Sequence, residues 1–207
     1  MKRVYLDNAA TTPMDPEVVK VMTHFMSNEF GNPSSTHFYG RQNKAAIERS
    51  RRSIAKHLNA APSEIIFTSG GTEADNMAIC CSVRDLGVTH IITSRIEHHA
   101  VGHTAEGEIA KGARVSYVDL LPNGHVDLKH LEDLLTSSSD KTLVSLMHGN
   151  NEIGNLLPIN EVSRLCRTHG AYFHSDTVQT MAHYRFDLEK LDIDGLINDT
   201  HPNAFSD

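Results

Sequence analysis

Leu143-Val144-Ser145-Leu146-Met147, then Ile159 to Arg167, then Ala171-Tyr172-Phe173-His174 are three consecutive patterns in one stretch of chain. The first and third are short apolar runs and read as strands; the second reads as a helix that ends near Gly170. Strand, helix, strand in this order is the unit of a parallel sheet, because a parallel neighbour needs a crossover of this length. Read outward, the alternation continues. Strands are expected at Glu64–Thr68, His90–Thr93 and Arg114–Val118. Helices are expected at Glu73–Val83, about His99–Lys111, and along the stripe Leu128, Leu131, Leu134 and Leu135. Nearer the start, Asp15-Pro16-Glu17 opens a helix in which Asp15 caps, Pro16 suits the first turn, and Val18, Val19, Met22, Phe25 and Met26 recur at helical spacing. A longer helix is expected over about Phe38–Leu58, with Ile47, Ile54 and Leu58 on its apolar face and Pro62 just beyond. The whole pattern predicts an α/β architecture with a largely parallel sheet.

Composition narrows the function classes. At 207 residues the chain fits one domain or two. Apolar residues make up 39 % and charged residues 22 %, the balance of a soluble globular protein. A net charge of −7 argues against nucleic-acid binding, which needs clustered cations. No apolar run approaches the ~20 residues that cross a bilayer, so no membrane association is expected. Met1 to Asp7 has no apolar h-region, so no secretory signal is expected. Three cysteines, Cys80, Cys81 and Cys166, make no disulfide framework and suit a reducing cytoplasm. Fourteen histidines are many for this length, but only His99 and His103, beside His98, have ligand-like spacing. With no H-E-x-x-H pattern and no supporting cysteine pair, no metal site is expected.

In open α/β sheets, ligands sit beyond the carboxyl ends of the strands. Four segments follow expected strands there. Thr68-Ser69-Gly70-Gly71-Thr72-Glu73-Ala74-Asp75-Asn76 turns on two glycines and opens a helix at Thr72, whose free N–H groups suit a phosphate; ordinary capping is the alternative. Ser94-Arg95-Ile96-Glu97-His98-His99 offers an imidazole that can stack on a planar ligand or shuttle a proton, against a packed loop histidine. His148-Gly149-Asn150-Asn151-Glu152-Ile153-Gly154 offers amides for a ligand oxygen, against an Asn-rich turn. His174-Ser175-Asp176-Thr177-Val178-Gln179 places an acid beyond a buried strand, where it needs a cationic partner such as a protonated pyridine nitrogen; a helix cap is the alternative. Together they suit one ligand with a phosphate, a flat ring and a basic ring nitrogen, a description that pyridoxal 5'-phosphate meets. The one Gly-rich turn lacks G-x-G-x-x-G spacing, which disfavours a dinucleotide-binding protein.

Tyr5-Leu6-Asp7-Asn8-Ala9-Ala10-Thr11-Thr12-Pro13, Gly31-Asn32-Pro33-Ser34-Ser35-Thr36-His37 and these four segments form an ordered set. Over residues 4 to 195 the set resembles the cysteine desulfurases of the NifS/IscS type, within the class V aminotransferases. The resemblance implies the type I fold of pyridoxal-phosphate-dependent transferases, an α/β/α sandwich with a mostly parallel sheet, here incomplete at the C-terminus. It implies a segment 1–14 packing at the substrate side, a partial cofactor-binding domain over 15–195 and an atypical tail over 196–207. By resemblance, Gly71 and Thr72 hold the cofactor phosphate. His98 stacks on the ring and transfers protons, Asp176 pairs with the ring nitrogen, and Gln179 bonds the phenolic oxygen. Asn151 sits beside that oxygen and the substrate carboxylate, while Asn8, Ala9 and the 31–37 loop line the substrate side. The implied reaction removes sulfur from L-cysteine, leaving alanine and an enzyme persulfide for iron–sulfur cluster assembly or other sulfur transfer. A homodimer and a sulfur-acceptor protein such as an iron–sulfur scaffold are the implied partners.

The end of the sequence departs from the family. A Ser-x-His-Lys segment is expected about two dozen residues after the aspartate, its lysine carrying the cofactor covalently. Leu191-Asp192-Ile193-Asp194-Gly195 fits, but His201 is followed by Pro202 in the lysine's place, and no lysine follows Lys190. The family's catalytic cysteine and its carboxylate-binding arginine lie in a further half, and Cys80, Cys81 and Cys166 match no catalytic position. The abrupt break suits a fragment or processed product of a longer enzyme, or an altered tail. On this reading the 207-residue chain binds pyridoxal phosphate only noncovalently and does not turn over cysteine by itself. The alternatives are a selenocysteine lyase or other class V member, and a truncated non-catalytic homologue acting as a binding module.

Overall fold

A computed structural model describes residues 2–198. They divide into two compact units, residues 2–67 with 184–189 and residues 68–183 with 190–198. The Pro202 position therefore lies outside the described residues.

The first unit holds α1 (Pro16–Asn28), α2 (Phe38–Leu58) and a 3-10 turn at Pro62–Glu64. The expected cap forms: Asp15 Oδ1 accepts the Glu17 N–H at 2.8 Å, with Pro16 in the first turn. Helix α2 ends because Asn59 turns left-handed (φ 54°), a conformation that asparagine tolerates better than most residues. The Asn59 amide then donates to Asp187 and Glu189 at 3.0 and 2.7 Å, which ties residues 184–189 to the helix end. Near the start of α2, a Cβ on Gly40 would lie 2.4 Å from Ser35 O and 2.5 Å from Asn32 O, so the loop can close only over glycine.

One expected strand is absent. Residues 65–68 are extended but pair with no strand among the described residues. Ile66 and Phe67 are 64 % and 48 % exposed. Apolar sequence gives a strand its faces, but a strand also needs a neighbour for its N–H and C=O groups. Here Arg51 serves part of that need, donating to Ile65 O and lying 4.8 Å over the Phe67 ring.

The second unit runs α3 (Gly71–Arg84), β1 (His90–Thr93), α4 (His99–Ile109), β2 (Arg114–Tyr117), α5 (Leu128–Thr136), β3 (Thr142–Ser145), α6 (Ile159–Thr168), β4 (Tyr172–Asp176) and β5 (Gly195–Ile197). The sheet order is β2-β1-β3-β4-β5, and every pair is parallel. The expected elements from His90 to β4 all form. Strand β3 stops at Ser145, short of Met147, and β4 runs on to Asp176, so the acid is the last residue of its strand instead of lying beyond it. Strand β5 has no signal of its own in the sequence and crosses position 196, where the atypical tail was expected to begin. It is fixed by pairing, helped by Asp194, whose N–H reaches Phe173 O and whose Oδ2 accepts the Phe173 N–H, both at 2.8 Å.

Strand periodicity decides which side chains meet which helices. Ile91, Leu143 and Tyr172 are in register and pack with Ile79 of α3 and Val101 and Ala105 of α4. Ile92, Val144 and Phe173 occupy the opposite face and are fully buried. Each such side chain contributes roughly 1.5–3 kcal/mol by leaving water. Because alternate residues share a face, Tyr172, His174 and Asp176 all look toward the side where α3 lies. That parity aims the Asp176 carboxyl.

Candidate active site

Helix α3 is tied to β4 from within. His174 Nε2 is 3.4 Å from Asp75 Oδ1, and its Nδ1 is 2.8 Å from Ser145 Oγ. Asp75 lies one turn into α3 from Gly71 and Thr72. The helix opens with Gly70 as N-cap and no side-chain cap; its first intrahelical bond comes from Ala74 N–H to Gly70 O. The N–H groups of Gly71, Thr72 and Glu73 are thus left for another acceptor. Glu73 folds back to accept from Ser69 N and Oγ, bonds that hold its carboxyl below the usual range. An uncapped N-terminus of a 14-residue helix is an electropositive end that suits a phosphate.

Asp176 is 6 % exposed. Its Oδ1 accepts the Val178 N–H at 2.9 Å, while no hydrogen-bond donor among the described residues reaches Oδ2. Burial pushes its pKa above the usual carboxylate range, Asp75 pushes the same way, and the Val178 N–H, His174 and His98 oppose them. His98 follows β1, at the same end of the sheet as Asp176. It is the N-cap of α4, with Nδ1 accepting the Ala100 N–H at 3.3 Å. An accepting Nδ1 puts the neutral ring's proton on Nε2, leaving that nitrogen as a donor. The His99 ring lies 3.9 Å from the His98 ring, centroid to centroid, and His103 is 5.9 Å further along. No cluster of three or more potential metal ligands occurs among the described residues.

The loops after β3 and β4 are drawn together at Gly149. A Cβ there would sit 2.5 Å from Thr180 Cγ2 and 3.7 Å from Gln179 Cβ, and His148 Nδ1 lies 2.8 Å from Thr180 Oγ1. Gln179 is thus at the same strand ends as Asp176. Asn151 is in the neighbouring loop but exposed, with its amide donating to Glu152 at 3.1 Å. The sheet brings Gly71, Thr72, His98, Asn151, Asp176 and Gln179 to one end of this unit. Asn8 and Ala9 belong to the other unit, in an exposed turn where Ala10 and Thr11 donate to Asp7 O at 3.2 Å.

Two residues of this end take roles that the sequence reading does not give them: Glu97 is assigned none there, and Asn150 is among the amides expected to face a ligand oxygen. Glu97 accepts from Ser94 Oγ at 2.5 Å and from Met147 N at 2.8 Å. Although the residue is only partly buried, its carboxyl end is enclosed, and burial, with Asp176 and Asp75 nearby, pushes it up to about 8. Asn150 is buried and donates to Ile96 O at 2.7 Å. The only signal available was adjacency: each directly precedes a residue singled out for chemistry.

A buried acid at the end of β4, one oxygen of which meets no donor among the described residues, and an uncapped helix start in the same unit make a candidate site. Residues 4–203 match the class-V aminotransferases, and the chain belongs to that family. It is 46 % identical over 197 residues to the putative cysteine desulfurase IscS 1 of Bacillus subtilis (strain 168), across 94 % of this chain and 51 % of that one. It is 45 % identical over 204 residues to cysteine desulfurase IscS of Dictyoglomus turgidum, across 97 % and 51 %. Among solved structures, a NifS-like protein superposes with a TM-score of 0.92 at 37 % identity, covering 99 % of this chain and 57 % of that chain. SspA in complex with cysteine superposes with a TM-score of 0.89 at 32 % identity, covering 98 % and 58 %. The chain spans about half the length of the curated relatives it matches.

Proposed function

We propose that this chain carries the cofactor-binding face of a pyridoxal-phosphate-dependent cysteine desulfurase. The carrying observation is Asp176: a buried carboxyl at the end of β4, one oxygen of which meets no donor among the described residues. A carboxyl raised by burial gains most from a cationic partner, and a protonated pyridine nitrogen is one. Bound pyridoxal phosphate supplies an electron sink for chemistry at the substrate's α-carbon. The N–H groups of Gly71 and Thr72 would hold the phosphate, Asp176 would pair with the ring nitrogen, and His98 Nε2 would donate or receive a proton. Gln179 and Asn151 would present amides to the ring oxygen and the substrate carboxylate.

The substrate on this reading is L-cysteine, the products alanine and a persulfide passed to an acceptor such as an iron–sulfur scaffold. A homodimer in the cytoplasm is the working assembly; three free cysteines suit that compartment. None of the three suits the persulfide role: burial raises the Cys80 and Cys166 thiols, the latter to about 12, and Cys81 lies beside Cys80 on α3. The sulfur-bearing thiol belongs elsewhere in the working enzyme.

Titrating the full chain with pyridoxal phosphate, followed by absorbance and induced circular dichroism, tests the reading. Saturable binding that Asp176→Ala weakens at least tenfold supports it. Absence of saturable binding, or binding indifferent to Asp176, overturns it.

A further inference from the structure

The parallel ladder between β1 and β3 ends with the pair Ile92 and Val144. Beyond it the two chains separate into the loops that carry His98 and Asn151. Backbone groups at such a fork lose their ladder partners while still sheltered from water, and unpaired they are costly. Two side chains fill the gap, each crossing to the other loop. Glu97, in the loop after β1, accepts the N–H of Met147, in the segment after β3, at 2.8 Å. Asn150, in the loop after β3, donates to Ile96 O, in the loop after β1, at 2.7 Å.

Both side chains are used to capacity. Glu97 sets one oxygen on Met147 N–H and the other on Ser94 Oγ, so both oxygens of its carboxyl group are engaged. Asn150 donates to Ile96 O and to Met147 Sδ at 3.3 Å, and its Oδ1 accepts from Glu152 N and Ile153 N at 2.8 and 2.9 Å. Asn151 and His98 are the next residues along, so their backbones are set by these bonds.

We propose that Glu97 and Asn150 act as one reciprocal clamp, a pair of positioning residues that fixes the spacing between the His98 loop and the Asn151 loop. What that spacing serves rests on the pyridoxal-phosphate reading; the clamp itself does not.

The test uses the full chain with Glu97→Ala, Glu97→Gln, Asn150→Ala, Asn150→Asp and the double alanine variant. Amide hydrogen exchange, read without any ligand, is the first measurement. Glu97→Ala is expected to speed exchange at Met147 at least tenfold. Asn150→Ala, which removes no bond to the Met147 amide, is expected to speed it at least threefold. Unchanged Met147 exchange in Asn150→Ala means two independent bonds and overturns the clamp, whether or not the cofactor binds.

The second measurement is pyridoxal-phosphate affinity and the induced circular dichroism at saturation. Each alanine variant is expected to weaken binding about tenfold and shrink the dichroic band. The double variant is expected to be no worse than about twice the weaker single one, because residues acting as a unit are not additive. Glu97→Gln, which keeps an acceptor for Met147, is expected to restore most of the band; Asn150→Asp, which loses the donor to Ile96, is not. Multiplicative losses, or no rescue by Glu97→Gln, overturn the proposal. If the wild-type chain fails to bind the cofactor, the functional reading falls and the exchange result alone decides the clamp. Should an alanine variant fail to fold, Glu97→Gln and Asn150→Asp carry the same contrast in both measurements.

Discussion

His174 Nε2 and Asp75 Oδ1 face each other at 3.4 Å with both side chains 2 % exposed. The contact joins the first turns of α3 to β4 two residues before Asp176, so one buried pair links the phosphate end of the site to its acid end. Removing one side of a buried polar contact leaves the other unpaired, at a cost of about 1–3 kcal/mol. Urea unfolding of Asp75→Ala is expected to show a loss of that order. In a double-mutant cycle with His174→Ala, the two losses are expected to fall short of additivity by at least ~0.5 kcal/mol. Additive losses would mean that the pair is mere proximity.

Glu97 imposes a pH dependence on stability. Its carboxyl rises from an ordinary 4.5 to about 8 in the fold. Between those values the native chain holds a proton that the unfolded chain has released, so stability falls as pH rises through that window. Asp176 is raised too and acts in the same direction. Glu97→Gln cannot titrate. Its urea midpoint, relative to wild type, is expected to improve steadily from pH 5 to pH 8; a difference constant across that range would contradict the assignment.

The start of α3 makes a prediction about ligand form. Pyridoxal lacks the phosphate proposed to accept from the Gly71 and Thr72 N–H groups. Its affinity for the full chain is expected to be at least 100-fold below that of pyridoxal phosphate, about 2.7 kcal/mol. Inorganic phosphate is expected to compete with pyridoxal phosphate in the same titration. Equal affinity for the two forms would remove the phosphate from this helix end.

Cys166 is buried and its thiol is pushed up to about 12 by burial and by Asp194. The thiolate is the reactive form. Iodoacetamide at pH 8 is expected to leave Cys166 unmodified in the folded chain and to alkylate it fully in urea, read by peptide mass. Rapid native labelling would show that the interior around Cys166 opens readily.

The alternation of apolar strands and helical patterns was enough to place β1, β2, α5, β3, α6 and β4 and to declare a parallel sheet. Residue spacing within one segment carries that information, because side-chain periodicity differs between strand and helix. Residues 64–68 misled for the converse reason: they have a strand's composition but no partner. Strand β5 went unseen because three residues, Gly195-Leu196-Ile197, acquire strand character only by lying beside His174–Asp176. At the site, motif residues such as His98 and Asp176 could be read directly. Glu97, Asn150 and the Asp75–His174 contact could not, since each is defined by a partner 50 to 99 residues away — Glu97 and Met147 are 50 apart, Asn150 and Ile96 are 54 apart.

The sequence alone settled the class of fold and the polar segments at the ends of β1, β3 and β4, because local periodicity and turn chemistry are properties of neighbouring residues. Tertiary structure alone decided which way Asp176 points, what stands beside its carboxyl, and how the loops after β1 and β3 are held apart. Those depend on strand register and on burial, which raise an acid's affinity for its proton and supply partners from distant parts of the chain.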